Sequence, residues 1–201
     1  MASWQSVLNF WFGNNRSIQN PLSFWWQKQP EVDALISRRF QPVVEALAEG
    51  LLPQWEAQSE SRLAAIICLD QFPRHIYRGT KHAFAYDLKA LQLVREGLKK
   101  KAENYLLPLE KTFFIMPLMH DETMNSQNAC VALYQQFLAD PQVMGDESGV
   151  LQNCIKGGLD YAIRHRDIID RFGRFPHRNA ELGRPSTPEE LVFLKQPGSS
   201  F

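Results

Sequence analysis

The sequence predicts an all-α fold, in which antiparallel helices joined by short connections form a single domain. Apolar residues recur three and four positions apart along most of the chain, which is the spacing of one helix face. No stretch shows the alternation of apolar and polar residues that a half-buried strand requires. The length of 201 residues suits one domain, residues 1–201, of which we expect residues 196–201 to be a frayed tail.

The periodicity predicts four helices in the first half of the chain. A short helix ends at Gly13, and the polar residues 14–20 follow as a loop. The other three helices of this half are expected over residues 31–48, 61–72 and 83–101. Pro42 must kink or divide the first of these three, because proline lacks an amide hydrogen. Pro73 is expected to end the next one, and Thr80 is a possible N-cap for the last.

The second half shows the same pattern and a clear helix start near its end. Helices are predicted over residues 109–119, 123–138 and 149–172. Residues 174–185 contain a glycine, two prolines and no periodicity, so this stretch is predicted to be a loop. Thr187, Pro188 and Glu190 then form a typical helix start, with a hydroxyl cap, a proline in the first turn and an acid near the positive dipole end.

Composition excludes several classes of protein. Lysine plus arginine is 22 and aspartate plus glutamate is 22, so a non-specific nucleic-acid binder is not expected. Three cysteines without CxxC spacing argue against a disulfide framework or a zinc finger. No apolar stretch approaches the length of a membrane span, and no phosphate-binding, dinucleotide-binding or nucleophile-elbow motif occurs. We therefore expect a soluble, cytoplasmic protein without a cofactor.

Two segments place clustered cations after an aromatic residue and a proline. In the first arginine segment, residues 69–80, the candidate ligand-binding residues are Asp70, Gln71, Arg74 and Arg78. In the second arginine segment, residues 171–184, they are Arg174, His177, Arg178 and Asn179. Each segment follows a predicted helix, so both are expected at helix C-terminal ends.

These cations support two interpretations. Guanidinium groups bind carboxylates and phosphates through paired hydrogen bonds, so several of them on rigid turns predict an anion site. Cations also cover the free carbonyls of helix C-termini, and Asp70 could pair with Arg174 or Arg178 and clamp the two segments together. Both interpretations stay open from the sequence alone.

A third feature is the run His120, Asp121 and Glu122, which follows a predicted helix with an internal proline. All three are possible metal ligands, and His177 lies downstream. An adjacent His-Asp pair in an all-α protein is similar to the HD phosphohydrolases, in which a metal activates water. Adjacent residues cannot all face one point on a helix, which counts against this alternative.

The motifs together resemble a largely bacterial family, catalogued as domain of unknown function 924, over almost the whole chain. The matching segments are residues 8–13, 69–74, 116–120, 171–179 and 182–184. The resemblance implies a helical fold similar to tetratricopeptide-repeat superhelices and no assigned activity. The family usually has asparagine in place of His75 and serine in place of Asp121, and the second departure weakens the hydrolase alternative.

Our working hypothesis is a binding protein for a small anionic ligand or a carboxylate of a partner peptide. Arg74, Arg174 and Arg178 would hold the anion, while Asp70 and Glu122 would orient them. The full predicted ligand set is Asp70, Gln71, Arg74, Arg78, His120, Glu122, Arg174, His177, Arg178 and Asn179. The alternatives are a metal-dependent hydrolase at His120, Asp121, Glu122 and His177, and a structural or protein-interaction module without a small ligand.

Overall fold

The computed structural model describes residues 1–14, 16 and 22–200, so most of the predicted loop over residues 14–20 lies outside the described part. The all-α prediction is confirmed, since the described residues contain helices and no strand. The α-helices are α1 (Trp4–Phe12), α2 (Pro30–Ala48), α3 (Ser59–Asp70), α4 (Phe72–Ile76), α5 (Asp87–Lys99), α6 (Pro108–His120), α7 (Met124–Leu138), α8 (Pro141–Met144), α9 (Val150–Phe172), α10 (Asn179–Leu182) and α11 (Pro188–Phe193). Short 3-10 helices cover Ser23–Trp25, Pro53–Glu56, Lys81–Phe84, Ala102–Tyr105 and Pro176–Arg178.

Helix α3 lies at the centre of the molecule. Every residue from Ser61 to Asp70 is buried. The helix packs against α1, α2, α5 and α6, so it has no face left for solvent. An apolar helix that is buried all round belongs to the core of a domain. The C-terminal end of α3 therefore delivers Asp70 to a solvent-poor position.

Helix α6 is a second buried helix, and it ends at His120. Residues 110–119 are all buried, and the helix packs against α3, α5, α7 and α9. Pro117 lies inside it without ending it. Helices α7 and α9 pack closely on each other, and Gly158 faces the ring of Tyr134 at the point of contact.

Of the two predicted effects of Pro42, division of the helix does not occur, since α2 runs unbroken. Three other local predictions require correction. Helix α3 ends at Asp70, and Pro73 lies in the first turn of α4 instead of ending α3, because proline is well tolerated where amides are free. Thr80 precedes only a 3-10 helix, and α5 begins at Asp87. Residues 174–185 are not simply a loop, since Pro176–Arg178 and α10 are helical turns.

The remaining predicted helices and the helix start at Thr187 agree with the structure. Thr187 accepts a hydrogen bond from the amide of Glu190, whose carboxylate accepts one from the amide of Thr187. Beyond α11 the chain continues in turns, and the Ser199 hydroxyl donates to the carbonyl of Leu194. Within the described residues, no helix is both long enough and apolar enough to cross a bilayer.

Candidate functional site

Three helix ends meet at one place. Asp70 is the last residue of α3, His120 is the last residue of α6, and Asp87 is the first residue of α5. The second arginine segment lies against them through Arg178. The predicted convergence of the two arginine segments with the end of α6 is therefore present in the fold.

Asp70 is the buried centre of this junction. Its side chain is 1% exposed, and its Oδ1 lies 2.7 Å from Nδ1 of His120 and 3.6 Å from Nη1 of Arg74. The side-chain amide of Gln71 donates to Oδ2 of Asp70 and also contacts the sulfur of Met116. Burial opposes ionisation, but the adjacent His120 and Arg74 favour the carboxylate and lower the pKa of Asp70 to about 2. Asp70 is therefore ionised at neutral pH.

The charge on Asp70 determines the tautomer of His120. An ionised carboxylate only accepts hydrogen bonds, so Nδ1 of His120 must carry the proton that it shares with Oδ1. Burial lowers the pKa of His120 below its usual value, despite the nearby carboxylate, so the ring is neutral at pH 7. In a neutral ring protonated at Nδ1, the other nitrogen, Nε2, holds the basic lone pair.

The guanidinium of Arg74 is engaged by the carboxylate of Asp87. It forms a two-pronged ion pair with Asp87, with both nitrogen–oxygen distances at 2.9 Å. The same guanidinium donates to the carbonyl of Asp70 and stacks over the ring of Phe84. The predicted role of Arg74 as a direct anion ligand is not favoured by this geometry, since its fork already holds a carboxylate.

Arg178 is a buried guanidinium with unused hydrogen-bond donors. It is 6% exposed and lies between the rings of Phe175 and Phe84, with its central carbon 4.6 and 4.9 Å from their centroids. Within the described residues its one hydrogen bond is from Nη1 to the carbonyl of His120, and its buried Nε has no acceptor. The nearest carboxylate oxygen belongs to Asp87, 3.6 Å away. Burial and the nearby Arg74 lower the pKa of Arg178 to about 10, which still leaves it charged at pH 7.

A cleft of about 210 Å³ opens beside these groups. His120, Arg178 and Asp87 contribute the polar part of the wall next to the ion-pair cluster, and Leu88 and Leu182 are exposed members of the lining. The complete lining is Phe84, Asp87, Leu88, Leu91, Pro117, His120, Asp121, Glu122, Arg178 and Leu182. Phe84, Asp87 and Leu88 belong to this lining but were not predicted as site residues. The only sequence signal for Asp87 is that an acidic residue follows an aromatic one, Tyr86, where a helix begins. This signal is weak.

Glu122 belongs to the cleft wall but does not orient the predicted arginines. Its carboxylate holds Arg184 through two hydrogen bonds of 2.7 and 2.9 Å and accepts the amide of Phe175 at 2.8 Å. Hydrogen bonds to Arg184 and this amide lower the pKa of Glu122 despite partial burial. Arg184 stood in the family motif, but we had not included it among the candidate residues.

The geometry does not favour the metal-dependent hydrolase. Asp121 accepts from the Thr123 hydroxyl and faces Arg95, while Glu122 is engaged with Arg184. Within the described part of the chain, no group of three or more His, Cys, Asp or Glu side chains is arranged to hold a metal ion. His120, Asp121, Glu122 and His177 therefore do not form a common ligand set here.

Arg174 and Asn179 lie in a separate cluster around Glu190. Arg174 forms two hydrogen bonds of 2.6 and 2.8 Å to this buried carboxylate, and Asn179 donates to it at 3.2 Å. Hydrogen bonds from Arg174 lower the pKa of Glu190 to about 2. The predicted pairing of Asp70 with Arg174 or Arg178 is wrong. Arg174 pairs with Glu190, whereas Asp70 contacts His120 and Arg74. Arg174 and Asn179 clamp α11 onto the second arginine segment.

Arg78 also lies apart from the cleft. It forms two hydrogen bonds of 3.0 Å to Asp33 near the start of α2, and the same carboxylate contacts Nδ1 of His75 at 2.7 Å. The first arginine segment therefore sends Arg74 towards the cleft and Arg78 towards α2.

His177 and His165 surround Phe175 behind the cleft. Their ring centroids lie 5.6 and 5.4 Å from that of Phe175, and the rings of His165 and His120 are 6.4 Å apart. Burial lowers the pKa of His165 to about 3 and that of His177 to about 4. Both rings are neutral at pH 7 and pack within the structure.

The fold and the site define a helical protein with a polar cleft at a junction of helix ends. The chain belongs to the family described as bacterial protein of unknown function (DUF924), whose model matches residues 7–198. It is similar to a solved structure of a protein of unknown function from Agrobacterium tumefaciens, with 31% identity, 96% of each chain covered and a TM-score of 0.79. A comparison with curated proteins finds no match. The likeness to tetratricopeptide-repeat arrays stays a prediction.

Proposed function

We propose that the cleft binds a small anionic ligand and that Arg178 is the group that pairs with it. The observation that carries this proposal is the unused hydrogen-bonding capacity of Arg178. A guanidinium offers five N–H donors, and Arg178 uses one of them within the described residues. By contrast, Arg74, Arg174 and Arg184 each hold a carboxylate in a two-pronged ion pair.

The surroundings of Arg178 favour an anion over a neutral guest. A buried cation is costly unless it is paired, and the nearest carboxylate is shared with Arg74. Burial and the positive charge of Arg74 lower the pKa of Arg178, and a bound anion would act against both effects. A carboxylate or phosphate oxygen placed in the cleft would supply the negative charge through charge-assisted hydrogen bonds. The cleft, at about 210 Å³, is below the usual range for drug-sized ligands, so the ligand is small.

The remaining predicted residues have supporting roles in this proposal. His120 lines the cleft, Asp70 and Gln71 hold it from behind, and Glu122 with Arg184 forms one edge. Arg174, Asn179 and Arg78 act as clamps within the fold, which is the structural alternative realised for part of the predicted set.

A thermal-shift screen with succinate, citrate and inorganic phosphate tests the proposal. A ligand at 100 times its Kd adds about 2.7 kcal/mol of stability, which raises the Tm of a chain of this size by about 5–10 °C. The exposed Leu88 allows a matched set of variants, because it is 78% exposed and lines the cleft. We expect Leu88→Glu to weaken anion binding by repulsion, Leu88→Lys to strengthen it, and Leu88→Gln to change it little.

Arg178→Gln should abolish the shift, whereas Arg171→Gln, which removes a guanidinium from an exposed ion pair, should preserve it. Shifts that are absent with all three anions, or that are identical in Leu88→Glu and Leu88→Lys, would contradict the proposal. The second result would place any bound anion elsewhere on the surface.

A further inference from the structure

We infer that the cleft hydrolyses the ligand that it binds, with His120 as the general base towards a water molecule and Asp70 as its positioning residue. The substrate class is a small carboxylic ester that carries a second, anionic group. This inference rests on the proposed function, because Arg178 is the residue that would hold the anionic group.

The arrangement of Asp70 and His120 carries the inference. The carboxylate is 1% exposed and lies 2.7 Å from Nδ1, whereas the imidazole lines the cleft. A buried acid that accepts from one ring nitrogen fixes the tautomer and orientation of the ring and stabilises the imidazolium that forms on protonation. A purely structural ion pair would not require the histidine to form part of a cleft wall.

The charge states at neutral pH suit this role. Asp70 is ionised because His120 and Arg74 lower its pKa to about 2. His120 is neutral because burial lowers its pKa, so its Nε2 can accept a proton without first losing one. General bases of this kind act best when the neutral form dominates at the working pH.

The cleft wall indicates water as the nucleophile. None of the described lining residues carries a hydroxyl, thiol or amine. The lining carboxylates are already engaged, Asp87 by Arg74, Glu122 by Arg184 and Asp121 by the Thr123 hydroxyl. His120 and Arg178 line the same cleft, and Arg178 donates to the backbone carbonyl of His120. A substrate held by Arg178 would therefore lie beside His120.

The proposed step conserves atoms and charge. Nε2 of His120 takes a proton from water as the water oxygen forms a bond to the ester carbonyl carbon. The resulting tetrahedral intermediate expels the alcohol oxygen, which receives the proton from Nε2. The products are a carboxylic acid and an alcohol, and neutral His120 is restored. Water is the only co-reactant.

The test compares hydrolysis of mono-p-nitrophenyl succinate, which carries a second carboxylate, with that of neutral p-nitrophenyl acetate. We expect the purified protein to prefer the succinate ester, and His120→Gln to lower kcat/KM about 10²–10⁴-fold. The rate should rise with pH through a pKa below 6.5 and then remain level, because neutral His120 is the active form. Leu88→Glu should raise KM, because its charge repels the anionic group of the substrate.

Asp70→Asn tests the positioning role separately. We expect kcat to fall with little change in KM, and the acidic limb of the pH profile to move to lower pH, because the charge of Asp70 raises the pKa of His120. Asp70→Asn also removes a buried charge and lowers stability, so its folding is checked by circular dichroism, and His120→Gln provides the independent variant.

A third measurement does not depend on the choice of ester. Diethyl pyrocarbonate should modify Nε2 of His120, succinate should protect it, and mass spectrometry locates the label. Succinate binding without any ester turnover above buffer, or with turnover unchanged in His120→Gln, would overturn the hydrolytic inference while leaving the proposed binding function intact. Absence of binding by succinate, citrate and phosphate alike would overturn both.

Discussion

His120 and Asp70 are fifty residues apart in the chain, yet Nδ1 of the imidazole lies 2.7 Å from Oδ1 of the carboxylate. The contact joins the C-terminal end of α3 to that of α6. Arg74 adds a positive charge 3.6 Å from the same oxygen. The buried carboxylate of Asp70 therefore belongs both to the core of the fold and to the support of the cleft wall. A change at Asp70 is expected to affect both the stability of the fold and the geometry of the cleft.

Asp70→Asn is expected to destabilise the protein by about 3–5 kcal/mol at pH 7, because it leaves buried donors facing a neutral group. Equilibrium unfolding in guanidinium chloride measures this cost. Asp167→Asn is the matched control, since Asp167 pairs with Arg166 at 2.9 Å on the surface, is 62% exposed and should cost about 1 kcal/mol or less. Equal losses in the two variants would contradict a buried, ionised Asp70.

Stability should fall as the pH is lowered below about 6.5. Burial lowers the folded-state pKa of His120, of His165 to about 3 and of His177 to about 4, so the unfolded chain binds protons that the folded chain does not. Each such histidine contributes a slope of up to about 1.4 kcal/mol per pH unit between its unfolded and folded pKa. Unfolding free energies measured at pH 7, 6 and 5 should decrease in that order.

His165→Leu should lower the slope of the unfolding free energy against pH by the contribution of one proton, because leucine cannot titrate. The comparison is made between slopes, so a uniform loss of stability in the variant does not affect it. A wild-type stability that stays level down to pH 5 would show that these histidines are not held neutral by burial.

Glu190→Gln is expected to lower stability by about 2–3 kcal/mol, because Glu190 is 2% exposed and accepts from Arg174, Asn179 and the amide of Thr187. Its neighbour provides the control. Glu189 pairs with Arg171 on the surface, and Glu189→Gln should cost less than about 1 kcal/mol. Thermal unfolding of both variants decides whether the Arg174 cluster is the clamp described above.

Gly158→Ala is expected to destabilise the packing of α7 against α9. A methyl group there would meet the ring of Tyr134, whose Cζ lies 2.9 Å from the added carbon, and overpacking of this kind costs about 1–3 kcal/mol. Gly157→Ala is the control one residue earlier, where nothing lies within 4 Å, so alanine should stabilise the helix by about 0.5–1 kcal/mol. Effects of the same sign at both positions would contradict this close approach.

The sequence by itself determined the fold class and most of the helices. The periodicity and end signals predicted residues 109–119, 123–138 and 149–172 to within one or two residues of α6, α7 and α9. The cap at Thr187 was predicted as well. These features depend on residues a few positions apart, so local propensity is sufficient to predict them. The boundary between α3 and α4 was missed because a proline in a first turn and a proline after a last turn look alike in sequence.

Only the tertiary structure decided which charges pair. The sequence identified Asp70, His120 and Arg178 as parts of one polar region. It did not indicate which ion pairs form, namely Arg74 with Asp87, Arg174 with Glu190, and Arg184 with Glu122. The last two pairs bridge 16 and 62 positions. Partner choice depends on where helix ends meet after the apolar faces have packed. Neither composition nor periodicity carries that information, so the unused donors of the buried Arg178 became visible only in the folded molecule.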